Sequence, residues 1–205
     1  MNAPQTADLR LHNRHTDEIV TLRRRHPDGE LVLEIRGSIP PHREGPPMHV
    51  HYFEDEEGRV TAGRLSAVVG GRRVDVGLGE TVRLPKGVPH RWWNEGEATL
   101  EFEGVVRPVE DFDRYLQAVF EVVNAGAQNR PPLFYLAHVA LRHRRTQAIL
   151  LMPRPIQAIV FRVVVAVGTI LGRYRGTEWP GCPARCPGAP AVINAVESSP
   201  ITRSA

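Results

Sequence analysis

Lysine is almost missing from this chain of 205 residues: Lys86 stands alone, so its other basic residues are all arginine. The net excess is only +3 and no helix-turn-helix pattern is evident, so no nucleic-acid partner is expected. Cysteine is nearly absent as well. Cys182 and Cys186, both in a Pro/Gly-rich tail, cannot make a four-thiolate zinc site or a disulfide framework. The opening stretch MNAPQTADLR has no apolar run, so no secretory signal is expected and a reducing cytoplasm is the expected setting.

Long apolar runs are missing too. The longest candidate, Ile156–Leu171, falls short of the roughly twenty residues that span a bilayer. It carries Arg162 near its centre, which opposes insertion by about 2.5–3.5 kcal/mol. No acidic residue occurs from Val122 to Thr177, while arginine recurs from Arg130 to Arg175. That asymmetry leaves two readings of the segment. It is a helical lid or dimer arm stabilised by packing, or a basic amphipathic helix on an anionic membrane surface.

What is present suits a folded protein. Hydrophobic content of 41% and charged content of 24% are ordinary for a globular chain. Short β-prone runs such as EIVTLRR, LVLEIRG, RLSAVVGG and RRVDVGLG are closed by turn signals, with Gly70-Gly71 reading as a tight hairpin. After Pro108 the period changes. Phe112, Tyr115, Leu116, Val119, Phe120 and Val123 recur at helical spacing, and two more apolar segments follow Pro132 and Pro155. The expected organisation is a disordered N-terminus over 1–15, a β-domain over 16–108, a helical extension over 109–176 and a disordered tail over 177–205.

Chemistry concentrates in PPMHVHYFEDEEG. His49 and His51 are two apart on an expected strand, so both imidazoles leave one face, and Glu56 follows just past a bend. His90 opens another strand after a turn shaped by Pro85 and Gly87. Imidazoles with one carboxylate suit Fe, Mn, Ni, Cu or Zn, not an all-oxygen calcium site.

These segments resemble the two motifs of the cupin superfamily. The first is carried by His49, His51, Glu56 and Gly63, the second by Gly79, Pro85, Gly87, His90 and Asn94, every spacing kept. The resemblance implies a mainly β fold, a jelly-roll barrel (double-stranded β-helix), here followed by the α-helical segment. It also implies that His49, His51, Glu56 and His90 ligate one divalent transition metal, Fe or Mn favoured. Two positions depart from the family pattern: Arg43 replaces a glycine and Gly58 a large apolar residue.

Trp92 shares the side of His90 by alternation and is the candidate substrate-binding wall. Asn94 is read as a strand terminator, and Glu54, Asp55 and Glu57 as a solvated rim. A metal-dependent small-molecule enzyme follows, with Fe(II) dioxygenase, an oxidoreductase, as the leading expectation. The alternative is a non-catalytic module that binds or senses a small ligand. Its basic extension, 130–176, would dock to a partner or make peripheral contact with a membrane. Homodimer formation through sheet edges is a further expectation.

Overall fold

A computed structural model describes residues 8–185. Two antiparallel sheets face each other. The first runs in the order β1 (Leu9–Asn13), β2 (Glu18–Arg25), β3 (Val32–Ile39), β11 (Leu100–Arg107), β6 (Asp55–Ala62) and β9 (Thr81–Leu84). The second orders β12 (Gln147–Ile149), β5 (His49–His51), β10 (His90–Asn94), β7 (Leu65–Val69) and β8 (Arg72–Val76), with β4 (Arg43–Glu44) also on β10. This is the jelly-roll expected of the sequence. Gly70 and Gly71 join β7 to β8 with φ of 56° and 79°, the left-handed pair that a two-residue hairpin requires.

Alternation fills the space between the sheets. Leu11, Val20, Leu22, Leu33, Ile35 and Ile39 point inward from one side and meet Leu65, Ala67 and Val76 from the other. Each such side chain contributes about 1.5–3 kcal/mol on burial. Gly37 is required for packing: it pairs with Phe102 across β3 and β11, and a Cβ there would lie 2.1 Å from the Phe102 ring.

Three helices follow: α1 (Phe112–Ala125), α2 (Leu133–Arg142) and α3 (Arg154–Ile170). α1 buries Phe112 and Phe120 in the barrel core, while Tyr115, Ala118 and Val122 form a second cluster with Val139 of α2. Arg24 clamps the start of α1 through a bidentate pair with Asp113 at 2.8 and 2.9 Å. Near its end, Asn124 donates to the His12 carbonyl and accepts from the Arg14 amide, at 2.8 and 2.9 Å. Between α2 and α3 the chain returns to the barrel as β12, which pairs with β5 so that Gln147 faces His51 and Ile149 faces His49. α3 packs on α2 and buries Phe161. Gln157 fastens it to the end of β12 by donating to the Ile149 carbonyl at 2.8 Å.

Two boundaries need correction. Leu9–Asn13 is not disordered but forms β1, because its inward Leu9 and Leu11 complete the edge of the first sheet. The tail remains structured through Arg185. Trp179 is buried beside Tyr135, His138 and Tyr174, and Cys182 is also buried. Cys186, and with it any pairing to Cys182, lies outside the described residues.

Candidate metal centre

β5 and β10 build the centre. His49 and His51 leave the same face of β5, and the antiparallel register sets His90 directly opposite His49. The ring centroids lie 4.9 Å apart for His49 and His51, 4.4 Å for His49 and His90, and 5.2 Å for His51 and His90. One nitrogen from each of the three falls within 4.8 Å of the others.

Backbone carbonyls orient two of the rings. His49 Nδ1 lies 2.8 Å from the Pro47 oxygen and His90 Nδ1 2.9 Å from the Val88 oxygen. A carbonyl only accepts, so Nδ1 carries the proton in both and the Nε2 lone pair faces the cluster. The Nε2 atoms of His51 and His90 are buried without a partner. Buried polar atoms are ordinarily satisfied, and three converging imidazoles are a donor set that a divalent cation fits; His51 Nδ1 is buried without a partner as well.

Electrostatics favour the ligating forms of the rings. Burial, reinforced by repulsion from His90, lowers the His49 imidazole to about 4. Burial and the two neighbouring rings lower His51 to about 2, and burial lowers His90. All three are therefore neutral near pH 7. Glu56 stands beside them, its carboxylate 3.9 Å from His51 Nε2, outside the 4.8 Å set that the imidazoles form. Burial pushes it up to about 7.

His49, His51 and Glu56 open onto a cavity of about 520 Å³, within the range of small-molecule sites. Trp92, Phe102, Phe112 and Leu116 supply apolar wall. Trp92 meets Phe102 edge-on at 5.2 Å. Trp93 faces outward instead, under the guanidiniums of Arg73 and Arg91. Asn94 is a structural residue, as expected: fully buried, it donates to the Ile39, Pro40 and Ala98 carbonyls.

The acidic run is a rim only in part. Asp55 is exposed and Glu57 half-buried, but Glu54 is fully buried, because the bend between β5 and β6 turns it inward. Neither of its oxygens has a partner, and burial pushes it up to about 7. Sequence reasoning missed a further pair nearby, the buried His143 with its Nδ1 on the half-buried Asp111 Oδ2 at 2.5 Å. The two residues sit on separate segments with no motif spacing.

Residues 35–106 match the Cupin_2 family, described as cupin domain. Within that span the motif histidines converge inside the jelly-roll. Residues 35–106 form a cupin domain.

A curated relative of the cupin domain, the oxidoreductase iacF of Pestalotiopsis fici, is 35% identical over 79 residues, 37% of this chain and 39% of that protein. The match therefore spans well under half of that relative. Among solved structures, a sugar phosphate isomerase from a cupin superfamily of Silicibacter pomeroyi is 21% identical, covering 44% of this chain and 60% of that one, with a TM-score of 0.38. The Cupin_2 domain of an XRE family transcriptional regulator from Enterobacter cloacae is 17% identical, covering 45% and 98%, with a TM-score of 0.38.

Proposed function

We propose that the protein is a metal-dependent oxidoreductase of the dioxygenase kind, acting on a small and largely apolar molecule. The observation that carries the reading is the pair of buried, unpartnered Nε2 atoms on His51 and His90, which converge with His49 beside an apolar cavity. In the proposed site His49, His51, His90 and Glu56 hold the ion, iron or manganese being favoured. Such an ion supplies Lewis acidity and, where it is iron, electron-transfer chemistry toward dioxygen. Trp92 and Phe102 exclude water and hold the substrate beside the open side of His49. The oxidoreductase name of the curated relative supports the reading. The test is metal analysis of protein purified without a metal-affinity column, then oxygen uptake with small acids, phenols and diketones. An iron-loaded protein that consumes no oxygen with any of them would overturn it.

A second reading, a ligand-binding module held at a surface, is favoured by α3. No helix among the described residues is long and apolar enough to cross a membrane. Even so, α3 exposes Ile156, Ile159, Val160, Val163, Val167 and Ile170 at the three- and four-residue spacing of one face. We propose that this face lies on an anionic bilayer. The acid-free, arginine-bearing sequence around it complements anionic headgroups. Pairing with a second copy would instead set arginine against arginine. Flotation with phosphatidylserine vesicles tests this. The full chain is expected to float, and Ile159→Asp/Val163→Asp is expected to stay behind. Equal flotation of both, or a dimer that ignores vesicles, would overturn it.

A further inference from the structure

The inward face of the β1–β2 hairpin is apolar at Leu9, Leu11, Val20 and Leu22, but not at its tip. There the paired residues Asn13 and Glu18 share the inward parity. Both line the same cavity that His49, His51 and Glu56 enter. Asn129, on the turn after α1, lines it too and accepts a hydrogen bond from Asn13 Nδ2 at 3.1 Å. A glutamate at a core-facing position of a strand costs stability unless it is satisfied. Burial pushes Glu18 up to about 7, against the opposing hydrogen bond from Asn13.

This polar patch and the metal centre lie at opposite ends of the barrel. Glu56 pairs with Val106, Val106 with Leu33, and Leu33 with Arg24, which fixes its level on β2. Glu18 begins that strand, roughly 20 Å from Arg24 at about 3.3 Å per residue. Between the two ends the walls are Val20, Ile35, Trp92, Phe102 and Phe120. The cavity is therefore polar at both ends and largely apolar between them, the remaining charged lining being the exposed Glu44–Arg91 ion pair.

We infer that Glu18, with Asn13 and Asn129, is a second subsite that takes a hydrogen-bond-donating group, hydroxyl or ammonium, at the far end of an elongated, otherwise apolar ligand. The other end of that ligand lies at His49, His51 and Glu56, and in this the inference rests on the cavity being the substrate site proposed above. A carboxyl in an apolar wall discriminates sharply, because a methyl end leaves it unpaired and a donor end satisfies it.

The probes are dodecanoate, ω-hydroxydodecanoate and ω-aminododecanoate, titrated calorimetrically into zinc-loaded and metal-free protein. Wild type is expected to bind the hydroxyl- or amino-ended acid at least roughly tenfold more tightly than the methyl-ended one. Glu18→Leu is expected to reverse that order with unchanged metal content. Glu18→Gln, which keeps the shape, is expected to retain the hydroxyl preference and lose the amino one. The same order in wild type and both variants, or no binding of any acid to wild type, would overturn the inference. Failure of the metal reading looks different: the protein takes up no zinc, while the end-group preference persists in the metal-free titration.

Discussion

His49 and His90 face each other across the β5–β10 ladder, their ring centroids 4.4 Å apart, although they belong to motifs far apart in the chain. The ladder, and not any loop, sets the spacing of the centre. The rings are consequently preorganised, and metal uptake is expected to cost little rearrangement.

His90→Ala is expected to remove metal binding without unfolding the protein. It deletes a fully buried ring that donates to the Val88 carbonyl but whose Nε2 has no protein partner, so the metal-free melting temperature should fall while the fold persists. Metal at about a hundred times its dissociation constant should stabilise wild type by about 2.7 kcal/mol and the variant not at all. Elemental analysis and thermal melts with and without zinc check this.

Proton release should report the role of Glu56. At pH 6 its carboxyl, pushed up to about 7, is mostly protonated, whereas His49 and His51, lowered to about 4 and about 2, are already neutral. If Glu56 ligates, zinc binding at pH 6 releases about one proton, and at pH 8 close to none. Calorimetry in buffers of different ionisation enthalpy measures the count. A Glu56→Gln variant should release none at either pH.

The site lay far closer to the surface of the sequence than the fold around it. Motif spacing singled out His49, His51 and His90, which the structure brings together, and strand alternation singled out Trp92, which lines the cavity. β6 stayed hidden since its inward positions are Glu56, Gly58 and Val60, only one of them apolar. β1 was misread because a polar chain start outweighed two inward leucines. The burial of Glu54 and the Asp111–His143 pair depend on long-range packing, which no local pattern encodes.

Asp111→Ala is expected to cost about 1–3 kcal/mol at pH 7 by leaving buried His143 unpaired. Burial alone would raise Asp111, but hydrogen bonds from His143 and Thr146 outweigh it and hold the carboxyl below its ordinary value. The sign follows: this contribution is fully present above the unfolded carboxyl's titration near about 4 and is lost as pH falls through the lower folded value. Urea denaturation of wild type and variant should show the difference shrinking only in strong acid.

Gly37→Ala is expected to destabilise by about 1–3 kcal/mol, because the new methyl drives into the Phe102 ring. Phe102 must then swing into the cavity. Adding Phe102→Leu should recover part of the loss, a coupling that denaturation of the single and double variants measures.

The pairing of β12 with β5 has a consequence for how this protein can be dissected. The recognised domain ends at residue 106, yet the outer neighbour of the histidine-bearing strand comes from beyond α2. A fragment trimmed at that border would bare His49 and His51 on a raw sheet margin, prone to aggregate. Barrel and extension should melt in one cooperative step, so the family module here is not a portable cassette but half of an indivisible body.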